Sequence, residues 1–181
     1  MRIGIMPCTA ALLLALPAAA ASVDPSRLVL RPADVPAGFA VDRAATRALP
    51  NARETRENPI LARPFERFGR VTGYQASYER GSALIQARVD VFRRADGARG
   101  FALWYDREVR KLGLADLRRS RARIGGGGGW VYRATRPTPA TSVVWSQGRV
   151  FSGVFGEGDP ASRALALARA QERRITAGLR R

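Results

Sequence analysis

Tyr74-Gln75-Ala76-Ser77-Tyr78-Glu79-Arg80-Gly81-Ser82-Ala83-Leu84-Ile85-Gln86-Ala87-Arg88-Val89-Asp90-Val91-Phe92 is the stretch that decides the fold. Apolar and polar residues alternate up to Glu79 and again from Ala83, on either side of Arg80-Gly81. Ala83, Ile85, Ala87, Val89 and Val91 share one face, and Leu84, Gln86, Arg88, Asp90 and Phe92 share the other. A period of two across a short glycine turn predicts a β-hairpin with one buried face.

Working outward, Asp96-Gly97 opens a helix with Asp96 as its expected N-cap. Ala98, Phe101, Ala102, Tyr105, Val109 and Leu112 then form one apolar stripe at helical spacing, closed by Gly113. Leu117 to Ile124 reads as an extended, strongly basic strand running into Gly125 to Gly129. Trp130 to Thr135 resumes as a strand. Ser142 to Ser146 and Arg149 to Phe155 pair as a second hairpin around Gln147-Gly148. Asp159-Pro160 opens the last helix as N-cap and first turn, with Leu165, Ala168, Ile175 and Leu179 as its apolar line. Hairpins interrupted by helices predict an α+β domain: an antiparallel sheet of about five strands in two hairpins, with two main helices packed on one face.

The N-terminal side is less regular. Residues 1–21 read as a secretory signal peptide: a basic start, an apolar run too short to span a bilayer, Pro17, then small residues suited to cleavage near Ala21. Residues 22–181 form the expected single domain. Leu28-Val29-Leu30 opens a turn-rich lead-in, and the polar segment 42–63, with Pro50 and Pro59, reads as a long surface loop.

Composition excludes more than it assigns. The chain has no histidine, and its one cysteine, Cys8, falls in the leader. The mature protein therefore lacks the usual metal ligands, thiol nucleophiles and disulfides. No cofactor, no metal site and no catalytic set is expected. The glycine run lacks the Gly-Lys-Ser/Thr ending of a phosphate loop, with Trp130 where the lysine belongs. The acidic pairs Glu54/Glu57, Asp106/Glu108 and Glu157/Asp159 read as surface charge, because a carboxylate pair works only across a cleft. Tyr74, Tyr78, Trp130 and Tyr132 read as core residues packed with Phe101 and Tyr105, although aromatics beside arginines can also stack on bases or sugars.

The net charge is +16, falling by one unit when Arg2 leaves with the leader, and Lys111 is the sole lysine among 31 basic residues. Arg119, Arg121 and Arg123 share one face of the basic strand, Arg118 lies on the other, and Arg107, Arg110 and Lys111 at the helix end can join them. Guanidinium forks suit phosphate and carboxylate groups. These seven residues are a candidate anion-binding patch, whose partners would be an anionic envelope polymer or an acidic protein. The plainer reading is an edge strand whose charges block sheet-to-sheet association. Specific nucleic-acid binding is not expected.

Short segments across most of the mature chain resemble a group of uncharacterised exported proteins and lipoproteins of actinobacteria and related high-GC bacteria. They are Ala33 to Phe39, Gly69 to Tyr74, the strand ending at Phe92 with Gly97, Ala98 and Phe101, the hairpin around Gly148, and Ala164 to Gln171. The resemblance implies an extracytoplasmic location and a fold similar to the Mog1/PsbP type, an antiparallel sheet flanked by helices. It brings no catalytic residues, and an acidic position that follows Ile-Gly in that group is replaced here by polyglycine after Ile124.

The expected function is an exported, non-catalytic domain that binds a ligand or protein partner between its sheet and the 42–63 loop. The alternative is an envelope or polyanion-binding protein acting through the arginine strand. An acid-based hydrolase ranks third.

Overall fold

The computed structural model describes residues 23–113, 116–126, 128–135 and 137–180, so the expected leader lies outside the described residues. Two proline-initiated 3-10 turns, Pro25–Arg27 and Pro32–Asp34, flank the buried Leu28, Val29 and Leu30. The chain continues through β1 (Ala40–Val41), β2 (Arg47–Ala48), α1 (Asn51–Glu57), a 3-10 turn at Pro59–Leu61 and α2 (Ala62–Phe68). The long hairpin follows as β3 (Arg70–Arg80) and β4 (Ala83–Phe92), then α3 (Ala95–Lys111) and β5 (Arg118–Ala122). The remaining elements are β6 (Gly129–Ala134), β7 (Ala140–Gln147), β8 (Val150–Glu157), a 3-10 turn at Asp159–Arg163 and α4 (Ala164–Leu179).

The strands form one antiparallel sheet in the order β1-β3-β4-β8-β7-β6-β5, with β2 also paired to β3. The α+β class and the antiparallel sheet match expectation, and both hairpins form where the alternation places them. Eight strands rather than about five make up the sheet. The strands that sequence did not show are β1 and β2, two residues each and too short to show a period.

A larger correction concerns the helices, which were expected on one face and instead cover opposite faces. On one side, α4 and the Leu28–Leu30 segment pack on Ile85, Ala87, Val89, Val143, Trp145, Val150 and Val154. On the other, α2 and α3 pack on Phe92, Trp130, Tyr132, Val144 and Phe151. The hairpin is therefore buried on both faces: Ile85 and Val89 on one, Asp90 and Phe92 on the other, are each 0% exposed. Gln86, Arg88 and Asp90 read in sequence as a solvated face because the burial of Arg88 and Asp90 depends on ion pairing, which periodicity cannot register. The aromatics divide between the two cores accordingly, Tyr78 with α4, and Trp130 and Tyr132 with Phe101.

The lead-in is tied to α4 by a fully buried glutamine. Gln171 Oε1 accepts from the Leu30 N–H at 3.0 Å, and its amide donates to Ser152 Oγ at 2.7 Å. Tyr78 donates its hydroxyl to the Leu30 carbonyl at 2.7 Å, and burial pushes that phenol up to about 12.

Segment 42–63 is not a loop. It holds β2, α1 and a 3-10 turn, and runs directly into α2. Two caps also differ from expectation. Helix α3 begins at Ala95 after Arg94, with Asp96 in its first turn. Asp159 opens a 3-10 turn and pairs with Arg80, so α4 starts only at Ala164.

Helices α2 and α3 approach closely because α3 carries glycines where it crosses Phe68. A Cβ at Gly100 would lie 2.7 Å from Phe68 Cε1, and one at Gly97 would collide with the Phe68 carbonyl oxygen. By contrast, a Cβ at Gly153 in β8 meets Val144 Cγ1 at 3.5 Å and the Val143 carbonyl oxygen at 3.9 Å, both ordinary contacts. Thermal denaturation should therefore separate the two substitutions. Gly100→Ala should cost about 1–3 kcal/mol by overpacking, whereas Gly153→Ala should be neutral or stabilise by about 0.5 kcal/mol.

Candidate ligand cleft and arginine edge

Beneath α3 lies a cleft of 490 Å³. It arises because the apolar stripe of α3 packs tightly only in its N-terminal half. Ala98, Phe101 and Ala102 are buried, but Tyr105 and Val109 are half-buried and Leu112 is 64% exposed. Val144, Phe151, Gly153 and Phe155 form the floor, and Leu61 and Asn58, from the end of the 42–63 segment, form a wall.

The cleft has one polar end, at Gln75, Gln86 and Arg88. A β-bulge between Arg70 and Thr72 builds what lies behind it, by turning Arg70 onto the same face as Phe92 and Asp90. There Arg70 Nε donates to Asp90 Oδ1 at 2.8 Å, both side chains are 0% exposed, and the guanidinium sits 4.2 Å from the Phe65 ring centroid. Arg88 donates from Nε to Asp90 Oδ2 at 2.8 Å and from Nη2 to Glu54 Oε2 at 2.6 Å. Arg70 Nη1 also donates to Asn51 Oδ1 at 2.6 Å. Helix α1 is thereby fastened to β3 and β4 through two arginines and two carboxylates. Gly73 makes room for it, since a Cβ there would collide with Arg70 and Asp90.

Burial alone would raise the Asp90 carboxyl, but the Arg88 and Arg70 charges and their hydrogen bonds outweigh it and hold the group below its ordinary value.

At the far end of the cleft Tyr132 donates its hydroxyl to Asp106 Oδ1 at 2.7 Å, and Arg119 binds both Asp106 oxygens at 2.5 and 2.9 Å. Burial opposes ionisation of Asp106 as well, yet the Arg119 and Tyr132 bonds keep its pKa low. Burial and the Asp106 bond together push the Tyr132 phenol well above its usual range.

The seven residues of the predicted anion patch do not act alike. Arg119 is committed to Asp106, Arg110 lies 3.6 Å from the same carboxylate, and Lys111 donates to Glu108 at 2.8 Å. Arg107, Arg118, Arg121 and Arg123 are exposed and form no ion pair among the described residues. Alternation along the strand is as expected for Arg119 and Arg121, which face Tyr132 and Trp130, whereas Arg123 lies beyond the end of β5. Arg121 stacks on Trp130 at 5.2 Å. Strand β5 is the free sheet edge, so its charges also block edge-to-edge pairing.

The acidic pairs resolve separately: Glu54 on Arg88, Glu57 on Arg47 and Arg53, Asp106 on Arg119, Glu108 on Lys111 and Asp159 on Arg80. The start of the glycine run is taken up by protein, since the Gly125 N–H donates to Glu172 Oε1 at 2.6 Å. The anion-patch reading missed Gln75, Gln86 and Arg88. Their one visible signal was three polar residues on a strand face shared with Phe92.

No family model and no curated protein matches the sequence. Among solved structures, the extracellular domain of PknH from Mycobacterium tuberculosis is similar, with a TM-score of 0.59 and 11% identity. The match covers 86% of this chain and 100% of that one. At this identity the likeness is one of fold. No helix among the described residues is long and apolar enough to cross a membrane.

Asp90→Asn should cost about 3–5 kcal/mol, because it leaves two arginines short of a buried counter-charge. The folded carboxyl has the lower pKa, so its stabilisation is complete above the unfolded value of about 4 and is lost as pH falls below it. In urea titrations the wild type should accordingly lose stability below about pH 4 more steeply than Asp90→Asn does.

Proposed function

We propose that this chain is an exported, non-catalytic domain that captures a ligand in the cleft between its sheet, α3 and the 58–61 turn. The observation that carries the reading is the open half of the α3 stripe. Tyr105, Val109 and Leu112 stand over a largely apolar floor without filling it, while Gln75, Gln86 and Arg88 gather at one end. A mostly apolar concavity with a few convergent polar groups is the usual form of a small-molecule site. The leader sequence supports export. So does the likeness of the fold to a domain described as extracellular, and both accord with the resemblance of short segments to exported actinobacterial proteins. The absence of histidine and mature cysteine, together with the engagement of Glu54, Glu57, Asp106, Glu108 and Asp159 by arginine or lysine, favours binding over catalysis.

Native mass spectrometry of the processed protein from its own envelope fraction tests this. A retained small molecule is expected, and Gly153→Leu, which projects a side chain into the cleft from a position that accepts a Cβ, should lose it without loss of melting temperature. Equal retention by the variant places the ligand elsewhere and contradicts the reading.

A second reading, binding of an anionic envelope polymer at the β5 edge, is favoured by the unpaired Arg118, Arg121 and Arg123. Replacing these three by Gln should abolish salt-sensitive retention on an anionic resin and leave the fold intact, since none of them closes an ion pair among the described residues. Retention insensitive to salt contradicts it.

A further inference from the structure

The cleft also specifies the chemistry of its occupant. It crosses the sheet from Gln75 on β3 past β4, β8 and β7 to Tyr132 on β6. Five strands at about 4.8 Å spacing make a trough roughly 19 Å long. Its two ends differ. At the β3/β4 end, Arg88 has used Nε and Nη2 on Asp90 and Glu54, but its Nη1 donates to no described residue, and the side chain is 29% exposed. Gln86 beside it is half-buried and lines the same trough, and its side-chain amide has no hydrogen-bond partner among the described residues. Toward the β6 end the walls are Val109, Leu112 and Leu117, and the one carboxylate behind them, Asp106, is closed off by Arg119 and Tyr132. The trough therefore offers free donors at one end, a mostly hydrocarbon lining interrupted by Ser142 and Asn58, and no carboxylate among its lining residues to welcome a cation.

Resting on the reading of the cleft as a ligand site, we propose that it takes a long-chain anionic amphiphile, such as an aliphatic carboxylate. The acidic head accepts from Arg88 Nη1 and the Gln86 amide, and the tail lies between the sheet and the Tyr105–Val109–Leu112 stripe. A charged acceptor fits because the one unused guanidinium donor in the trough is cationic, and charge-assisted bonds of this kind are the strong ones. The tail would bury the part of the stripe that the fold leaves open, removing its apolar surface from water.

Titration calorimetry with three twelve-carbon probes, each kept below its micelle threshold, tests the proposal: dodecanoate, dodecan-1-ol and dodecyltrimethylammonium. Dodecanoate should bind about tenfold or more tightly than the alcohol, the scale of one charge-assisted hydrogen bond, and the cation should bind least. Gln86→Glu places a like charge at the head-group end without breaking any bond of the fold. It should weaken dodecanoate by at least about tenfold and leave the alcohol unchanged. Gly153→Leu should block dodecanoate and the alcohol alike. Equal affinity for all three probes, or dodecanoate binding untouched by Gln86→Glu, overturns the head-group assignment; the cleft stands as a ligand site if Gly153→Leu still blocks binding. Binding of none of the three overturns the amphiphile, and the mass-spectrometric comparison then decides the cleft on its own.

Discussion

The ion pair between Arg70 and Asp90 is the constraint on which the rest of this structure depends. Both side chains are fully buried, and each is held in more than one way: Asp90 by two arginines, Arg70 by Asp90, Asn51 and the face of Phe65. A pair buried this deeply is weak evidence for net stability, because desolvation offsets most of the attraction. Its effect is on arrangement. With Arg88 and Glu54 it fixes α1 against β3 and β4, and so fixes the wall of the cleft that follows α1 in the chain. An apolar replacement of the same volume could hold the helix, but it would leave Arg88, at the cleft end, without its Asp90 partner.

The same network explains which parts of the fold were legible in the sequence. The hairpin from Tyr74 to Phe92, the α3 stripe and the Gly148 turn all appear as periodicity or turn chemistry, and each forms where it was read. The placement of helices on both faces was not legible, because Arg88 and Asp90 carry the same letters whether solvated or paired in a core. Nor was the bulge at Arg70, which moves one residue to the opposite face and has no compositional mark. Segment 42–63 read as a loop because its prolines and charges do suit turns. Its short helix is held by contacts to β3 and β4 rather than by its own propensity.

The site was legible in part. Sequence reading placed a site between the sheet and residues 42–63, and the cleft does use Asn58 and Leu61 from that segment. Its chemistry was sought in the basic strand, where charge is dense. Density misleads here, because Arg119 is an internal tie to Asp106 and only part of the patch stays unpaired. The more informative arginine is Arg88. It is isolated in sequence among apolar neighbours and retains one donor after satisfying two carboxylates. The α3 stripe gave a second, overlooked signal: it runs from Ala98 through Leu112, longer than the packed part of the helix needs.

Sequence pattern, packing and proposed role thus meet in the C-terminal half of α3, which is apolar, helical and incompletely covered. Amide hydrogen exchange of the processed protein, with and without dodecanoate, tests that claim most directly. The account predicts that protection rises in residues 105–112 of α3 and 58–61 opposite, with the β5 edge unchanged. Protection gained only along residues 118–122, or none in α3, would contradict it.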